Sequence, residues 1–193
     1  MNKNRLEAFS DGVLAIIITI MVLEFKVPDS VSYEAIRPLF HKFLSYILSF
    51  IYVGIYWNNH HHLLYTVKRV NGKILWANLY LLFWLSMIPF ATAWIGEHHF
   101  APFPMMFYGF ILLMNGLAYF MLQNQILKHH GEDSLLSHAL GKDYKGKSSP
   151  MLYFVAILLA YKYPAIAGAI YIFVALMWLV PDKRIERIFN ENE

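Results

Sequence analysis

The densest set of chemically capable side chains in this sequence is Asn58-Asn59-His60-His61-His62; a second, smaller set is Arg5 with Ser10 and Asp11. Imidazole nitrogens bind metals and haem, and a carboxylate inside an apolar stretch carries protons or pairs with a buried donor. Spacing separates these chemistries. Three adjacent histidines project at intervals of about 100° around a helix, so they cannot converge on one ion, whereas i, i+4 pairs can. The other histidine pairs, His98-His99 and His129-His130, fall in or beside loops between apolar runs. A metal or haem site therefore lacks a second ligand set, and no cofactor is expected. Enzyme chemistry is equally short of parts: there is no Ser/His/Asp arrangement, no H-E-x-x-H and no pair of carboxylates at one depth. What Asn, His, Ser and Asp do supply in apolar surroundings is an interhelical hydrogen-bond network that holds spans in register.

The elements that must position these residues are membrane spans. Of 193 residues, 58% are hydrophobic, 17% aromatic and only 15% charged, where a soluble domain carries about a quarter charged residues. The mean hydropathy of +0.43 and several long apolar runs give an all-α, polytopic membrane protein. Cysteine is absent, so disulfides and thiolate metal sites are excluded. The pI of about 9.0 does not point to nucleic acid, because the basic residues gather at the ends of apolar runs, where they set topology instead. Arg5 and the apolar stretch after it are not read as a cleaved leader, since Leu23-Glu24-Phe25-Lys26-Val27-Pro28 contains no small-x-small cleavage pattern.

Six helices are expected, over 6–27, 38–66, 74–95, 102–127, 150–161 and 165–180, with a polar cytoplasmic linker at 129–149 and a solvated tail at 182–193. The whole chain, 1–193, reads as one transmembrane domain without internal repeat. One set of helix ends carries Lys3, Arg5, Lys68, Arg69, Lys73, Lys128, Lys142, Lys145, Lys147, Lys183, Arg184 and Arg187; the other carries Lys26, Arg37, Lys42 and Lys162. That imbalance places both termini in the cytoplasm, and an even number of spans is consistent with it. A multi-pass protein of the cell membrane is expected.

Rotation and depth then sort the polar residues. With Ile16 set to zero on the first span, Phe9 falls at about +20°, Gly12 at −40°, Ile20 at +40° and Leu23 at −20°. Thr19, at about −60°, borders this stripe, while Ser10 and Asp11 lie far round, near +120° and −140°. Asp11 should therefore point into protein, because an unpaired carboxylate in hydrocarbon is costly. It lies roughly 9 Å along the helix from Arg5. Asn58 to His62 on the second span, and Trp76 and Asn78 on the third, sit at comparable depth from their own basic ends. One layer can thus collect Ser10, Asp11, a histidine, an asparagine and an indole N–H. No Asp, Glu, Lys or Arg lies mid-span, which leaves a proton-coupled transporter without its usual ionisable groups.

The motif Arg5-x-x-x-Phe9-Ser10-Asp11, followed at once by an aliphatic run, resembles the signature of the transmembrane protein 175 family of potassium channels. Six spans, cytoplasmic termini and a Trp/Asn/His cluster on the second span fit the same family. The resemblance implies a potassium-selective cation leak channel, found in endosomes and lysosomes of animals and in prokaryotic membranes. Animal members carry two six-span repeats; a chain with one resembles the prokaryotic form and implies a homotetramer. In that family the first helices line the pore. Carried onto this sequence, Ile16 is the constriction candidate, followed by Ile20 and Leu23, with Thr19 as a competing filter position. Arg5, Phe9, Ser10 and Asp11 would then brace the helix, together with Asn58, His60, Trp76 and Asn78.

The residues alone leave function more open. A stripe on one helix encloses nothing, so a pore needs several copies about an axis. No Thr-Val-Gly-Tyr-Gly filter loop is present, and its nearest match, Tyr52-Val53-Gly54-Ile55-Tyr56, falls inside the second helix. A ring of isoleucines can gate by dewetting, and Thr19 hydroxyls can supply oxygens to a permeant potassium ion. The alternatives are a small secondary cation transporter and a membrane scaffold without transport.

Overall fold

Asn2 opens the first helix: its side chain accepts from the Asn4 amide at 3.2 Å, and α1 runs from Lys3 to Leu23. At 21 residues it is roughly 31 Å long, the thickness of a bilayer core. The computed structural model describes residues 2–28, 30–37, 39–67, 69–130 and 144–179. α1 ends at Leu23, four residues before the expected end at Val27, and the chain has no regular structure from there to Pro28. A single 3₁₀ turn, Tyr33–Ala35, then leads to α2, Leu39–Tyr65, close to the span expected over 38–66.

The span expected over 74–95 is two helices, α3 (Gly72–Ser86) and α4 (Ile88–Glu97). Pro89 is the reason. Its ring has no N–H to donate and clashes with the carbonyl one turn back, which favours a kink or break, and here α4 starts afresh with Pro89 in its first turn. Asn71 caps α3 by accepting from the Ile74 amide at 2.9 Å. Next, α5 (Pro102–His130) outruns its expected end at 127 by three residues. The next helix, α6 (Tyr144–Ala160), begins six residues before the expected start at 150 and keeps Pro150 inside it. Last, α7 spans Pro164–Leu179. Of the linker expected at 129–149, both ends are therefore helical; residues 131–143, like the tail at 182–193, lie outside the described residues. Four stretches are long and apolar enough to cross a membrane, Lys3–Leu23, Leu39–Tyr65, Gly72–Glu97 and Pro102–His129, and Pro164–Leu179 is a shorter apolar helix.

The helices alternate up and down. At one end Lys3 donates to the Tyr65 carbonyl at 3.0 Å, the side chains of Asn71 and His129 meet at 3.0 Å, and the Trp178 indole donates to Ser149 at 2.8 Å. These bonds join the start of α1 to the end of α2, the start of α3 to the end of α5, and the start of α6 to the end of α7. At the other end Lys42 pairs with Glu97 at 2.9 Å. The larger basic set counted above thus shares one end of the bundle wherever its members are described, and Lys42 of the smaller set lies at the other.

All seven helices contribute buried apolar side chains, and between α2, α4, α5, α6 and α7 the packing includes four tyrosines. Tyr52, Tyr108 and Tyr171 are fully buried, and Tyr153 is nearly so. Their hydroxyls are satisfied internally: Tyr52 donates to the Tyr171 carbonyl at 2.5 Å, Tyr153 to Tyr52 at 3.3 Å and Tyr171 to the Met105 carbonyl at 3.1 Å. Thr92 donates to Ser49 at 2.6 Å, and Ser49 shares a bond with Tyr108 at 2.9 Å. Buried hydroxyls without such partners would each cost free energy, so this network fixes how the five helices face one another.

Candidate functional site

α1 packs on α2, α3 and α4 and on one side only. Leu6, Ser10, Leu14, Ile17 and Met21 are buried. On the stripe centred at Ile16 the side chains are open: Ile16 is 58% exposed and Leu23 77%, with Phe9, Gly12, Thr19 and Ile20 also exposed. The two sets occupy opposite arcs, as rotation by about 100° per residue requires. Arg5 and Phe9, expected among the bracing residues, stand on the open arc. Arg5 is exposed and forms no ion pair among the described residues.

Thr19 donates its hydroxyl to the Ile16 carbonyl at 2.9 Å. That bond uses the proton and leaves the oxygen lone pairs of an exposed side chain directed away from the helix, where they can accept from water or coordinate a cation. Beyond it Glu24 is exposed at the end of the arc. Beside the arc runs a groove with Ile16 and Ile20 on one wall and Phe90 and Trp94 of α4 on the other, and Glu24 and Glu97 lie at one end of it.

The buried arc is tied down by polar bonds. The Asn78 amide donates to Ser10 at 3.0 Å, and its oxygen meets His60 Nε2 at 2.7 Å. Ser10 in turn donates to the Leu6 carbonyl at 2.9 Å. All three side chains are buried, so one serine–asparagine–histidine chain joins α1, α3 and α2. At the same level Asp11, half-buried, accepts from the Trp57 indole at 3.1 Å, and His61 Nδ1 lies 3.4 Å from a Glu7 oxygen.

The structure therefore brings Ser10, Asp11, His60 and Asn78 into one layer, and leaves Trp76 and Asn58 out of it. Trp76 is 75% exposed on the outer side of α3. Asn58 is half-buried and its side chain joins no hydrogen bond among the described residues. The indole in the layer belongs to Trp57, which the sequence reading missed. The signal for it was available: Trp57 precedes His60 and His61 by three and four residues and so shares their helix face, stacking on His61 with ring centroids 6.4 Å apart. Among the described residues no group of three or more His, Asp or Glu side chains is placed to hold a metal ion.

Comparison with known proteins decides the family. Residues 5–89, from Arg5 to the proline that opens α4, match the family model of the endosomal/lysosomal potassium channel TMEM175. A potassium channel of Chryseobacterium sp. (strain P1-3) is 57% identical over 192 residues, covering 100% of both chains. The chain belongs to the TMEM175 family. The crystal structure of a lysosomal potassium-selective channel TMEM175 homolog from Chamaesiphon minutus superposes with a TM-score of 0.78 at 28% identity, covering 93% of this chain and 97% of that one. The endosomal/lysosomal proton channel TMEM175 of Mus musculus is 32% identical over 103 residues, which is 47% of this chain and 21% of that protein. This is an ion-channel family and not an enzyme family. The segment matched to the TMEM175 model contains the open arc, the serine–asparagine–histidine chain and Trp57.

Proposed function

We propose that this TMEM175-family chain is the subunit of a homotetrameric, potassium-selective cation channel in which the open arc of α1 lines the pore. One observation carries the reading. Along its whole length α1 leaves an arc uncovered by the other described residues, while its opposite arc is fixed by apolar packing and by Ser10, Asp11, His60 and Asn78. A helix so held presents the same residues to an axis in every copy. Four Ile16 side chains then form an aliphatic constriction that gates by excluding water. Thr19 adds a ring of hydroxyl oxygens one turn further, and Ile20 and Leu23 continue the wall. Glu24 gathers cations at the mouth. Potassium is the permeant ion, and no resident cofactor takes part.

The assembly sits in the cell membrane as a multi-pass protein with both termini cytoplasmic, since the lysine-rich ends share one side of the bundle. Each subunit crosses six times if α3 and α4 count as one kinked span and α6 and α7 as the last two. The names of the Chryseobacterium and Chamaesiphon relatives support potassium as the ion. The mouse relative is named a proton channel, so the proton is the competing ion to test.

Bi-ionic reversal potentials of the purified protein in liposomes test the proposal. The expected result is a current whose reversal follows the potassium gradient and needs no coupling ion. Reversal that tracks a pH gradient after potassium is replaced would make the proton the permeant. Uptake at a fixed coupling ratio would make the protein a transporter, and silence in vesicles that hold assembled protein would leave a scaffold.

A further inference from the structure

Trp76 has no role in the network around Ser10, and its 75% exposure calls for another account. It stands in an open groove between the start of α3 and the end of α5. Lys73, Lys128 and His129 line the upper part, and Trp76, Tyr80 and Met121 the lower. Among the described residues no carboxylate lines it. Both lysines are exposed and form no ion pair among the described residues. Asn71 and His129 meet at 3.0 Å across the top and tie the two helix ends together, so the groove keeps its width. It lies at the lysine-rich end of the bundle, where α3 begins and α5 leaves its apolar stretch.

We infer that this groove binds the headgroup of an anionic phospholipid. The chemistry is amphipathic along one axis. Two ammonium groups meet the phosphate where the bundle enters water, and an indole, a phenol ring and a thioether continue along the spans where acyl chains begin. An exposed indole placed between charge and apolar wall is the side chain that settles at the headgroup level of a bilayer. Basic grooves between spans on the cytoplasmic side attract anionic lipid, at roughly a five-fold gain in affinity per lysine. A soluble phosphate would have no use for the apolar half, and a zwitterionic lipid would gain little from two unpaired lysines. The inference assumes the membrane placement proposed above but not conduction, so lipid retention and ion flux fail independently.

Native mass spectrometry of the full-length protein tests it, with phosphatidylglycerol and phosphatidylcholine offered together. The wild type should retain phosphatidylglycerol selectively. Lys73→Gln with Lys128→Gln should weaken that retention roughly twenty-five-fold, as two lysines imply. Trp76→Ala should weaken it with both charges in place. Lys162→Gln, a lysine at the opposite end of the bundle, should leave it unchanged. If the double variant does not assemble, Lys128→Gln alone, on the exposed last turn of α5, should lower retention roughly five-fold. Equal loss in Lys162→Gln, equal retention of phosphatidylcholine, or displacement of the lipid by excess inorganic phosphate would each overturn the assignment.

Discussion

α1 and α5 are both long enough to cross a bilayer, and α1 holds the more apolar stretch, yet 28% of that stretch is buried against 44% of the corresponding stretch in α5. In water the more apolar helix would be driven further inside. Between helices already in lipid that force is absent, and close packing and hydrogen bonds decide which helix is surrounded. α5 lies among α3, α4, α6 and α7, and small residues such as Gly109 let neighbouring side chains come close. α1 is held along a single arc. The bareness of its other face is thus a missing partner and not a want of hydrophobicity, and in the proposed tetramer further copies of α1 complete it.

The comparison breaks most violently at Gly109. A Cβ built there would fall on the Tyr171 hydroxyl, 2.8 Å from its ring and 2.9 Å from Ile157 Cγ1. Tyr171 cannot swing away, because it is fully buried and its hydroxyl is committed to the Met105 carbonyl at 3.1 Å. Gly109→Leu should cost more than about 3 kcal/mol and leave no assembled protein on size-exclusion chromatography. Wild-type yield would mean that α5 and α7 separate easily and that α5 is not the fixed partner in the comparison.

The next effect loosens α1 itself. Asn78→Leu removes the middle of the serine–asparagine–histidine chain and leaves His60 and Ser10 short of a partner, at about 1–3 kcal/mol for each group. Thermal unfolding of the solubilised protein should shift down by several degrees. Ion preference in the surviving protein should be retained, because the change lies on the arc away from Ile16. A stable variant with altered selectivity would show that the network shapes the pore directly.

Much of this was legible in the sequence, for physical reasons. A period of about 3.6 residues fixed which side of α1 carries Ile16 and which carries Ser10 and Asp11, and distance from the basic helix ends fixed the depth of the network. Depth without rotation misled in one place. Trp76 shares the level of Asn78 but stands two residues away, about 200° around the helix, so one faces in and the other out. Trp57 was the indole on the right face. Hydropathy also ran through Pro89 without registering the break between α3 and α4, and it stopped at Pro150 because Tyr144 to Ser149 are polar although helical. What lies across from the open arc is proposed on the Arg5-Phe9-Ser10-Asp11 motif alone, since exposure does not distinguish lipid from a second copy.

Ile16 and Thr19 sharpen the comparison without disturbing the fold, as both are exposed and neither supports the core. Ile16→Asn should raise single-channel conductance several-fold and admit larger cations, because a ring of amides wets where isoleucines repel water. Unchanged conductance in assembled protein would move the constriction elsewhere. Thr19→Val removes the hydroxyl and keeps the shape. The potassium-to-sodium permeability ratio from bi-ionic potentials should fall if the hydroxyl oxygens coordinate the ion, and stay as it is if Ile16 alone selects.

The smallest effect is expected at Gly12, and it bears on the comparison most directly. Gly12 lies on the open arc between Phe9 and Ile16, and a Cβ added there meets nothing within 4 Å. Alanine is a better helix former than glycine by about 1 kcal/mol, so Gly12→Ala should leave the melting temperature of the assembled protein unchanged or raise it slightly. The added methyl is small beside the Phe9 and Ile16 side chains above and below it, so conductance should change little. Gly109→Ala, the same exchange on α5, should lower the melting temperature because the methyl has no room. A fall at Gly12 as well would mean that a neighbouring copy packs tightly against that position. The open arc would then be a helix–helix interface at this level, and the lumen would begin only beyond it, towards Ile16.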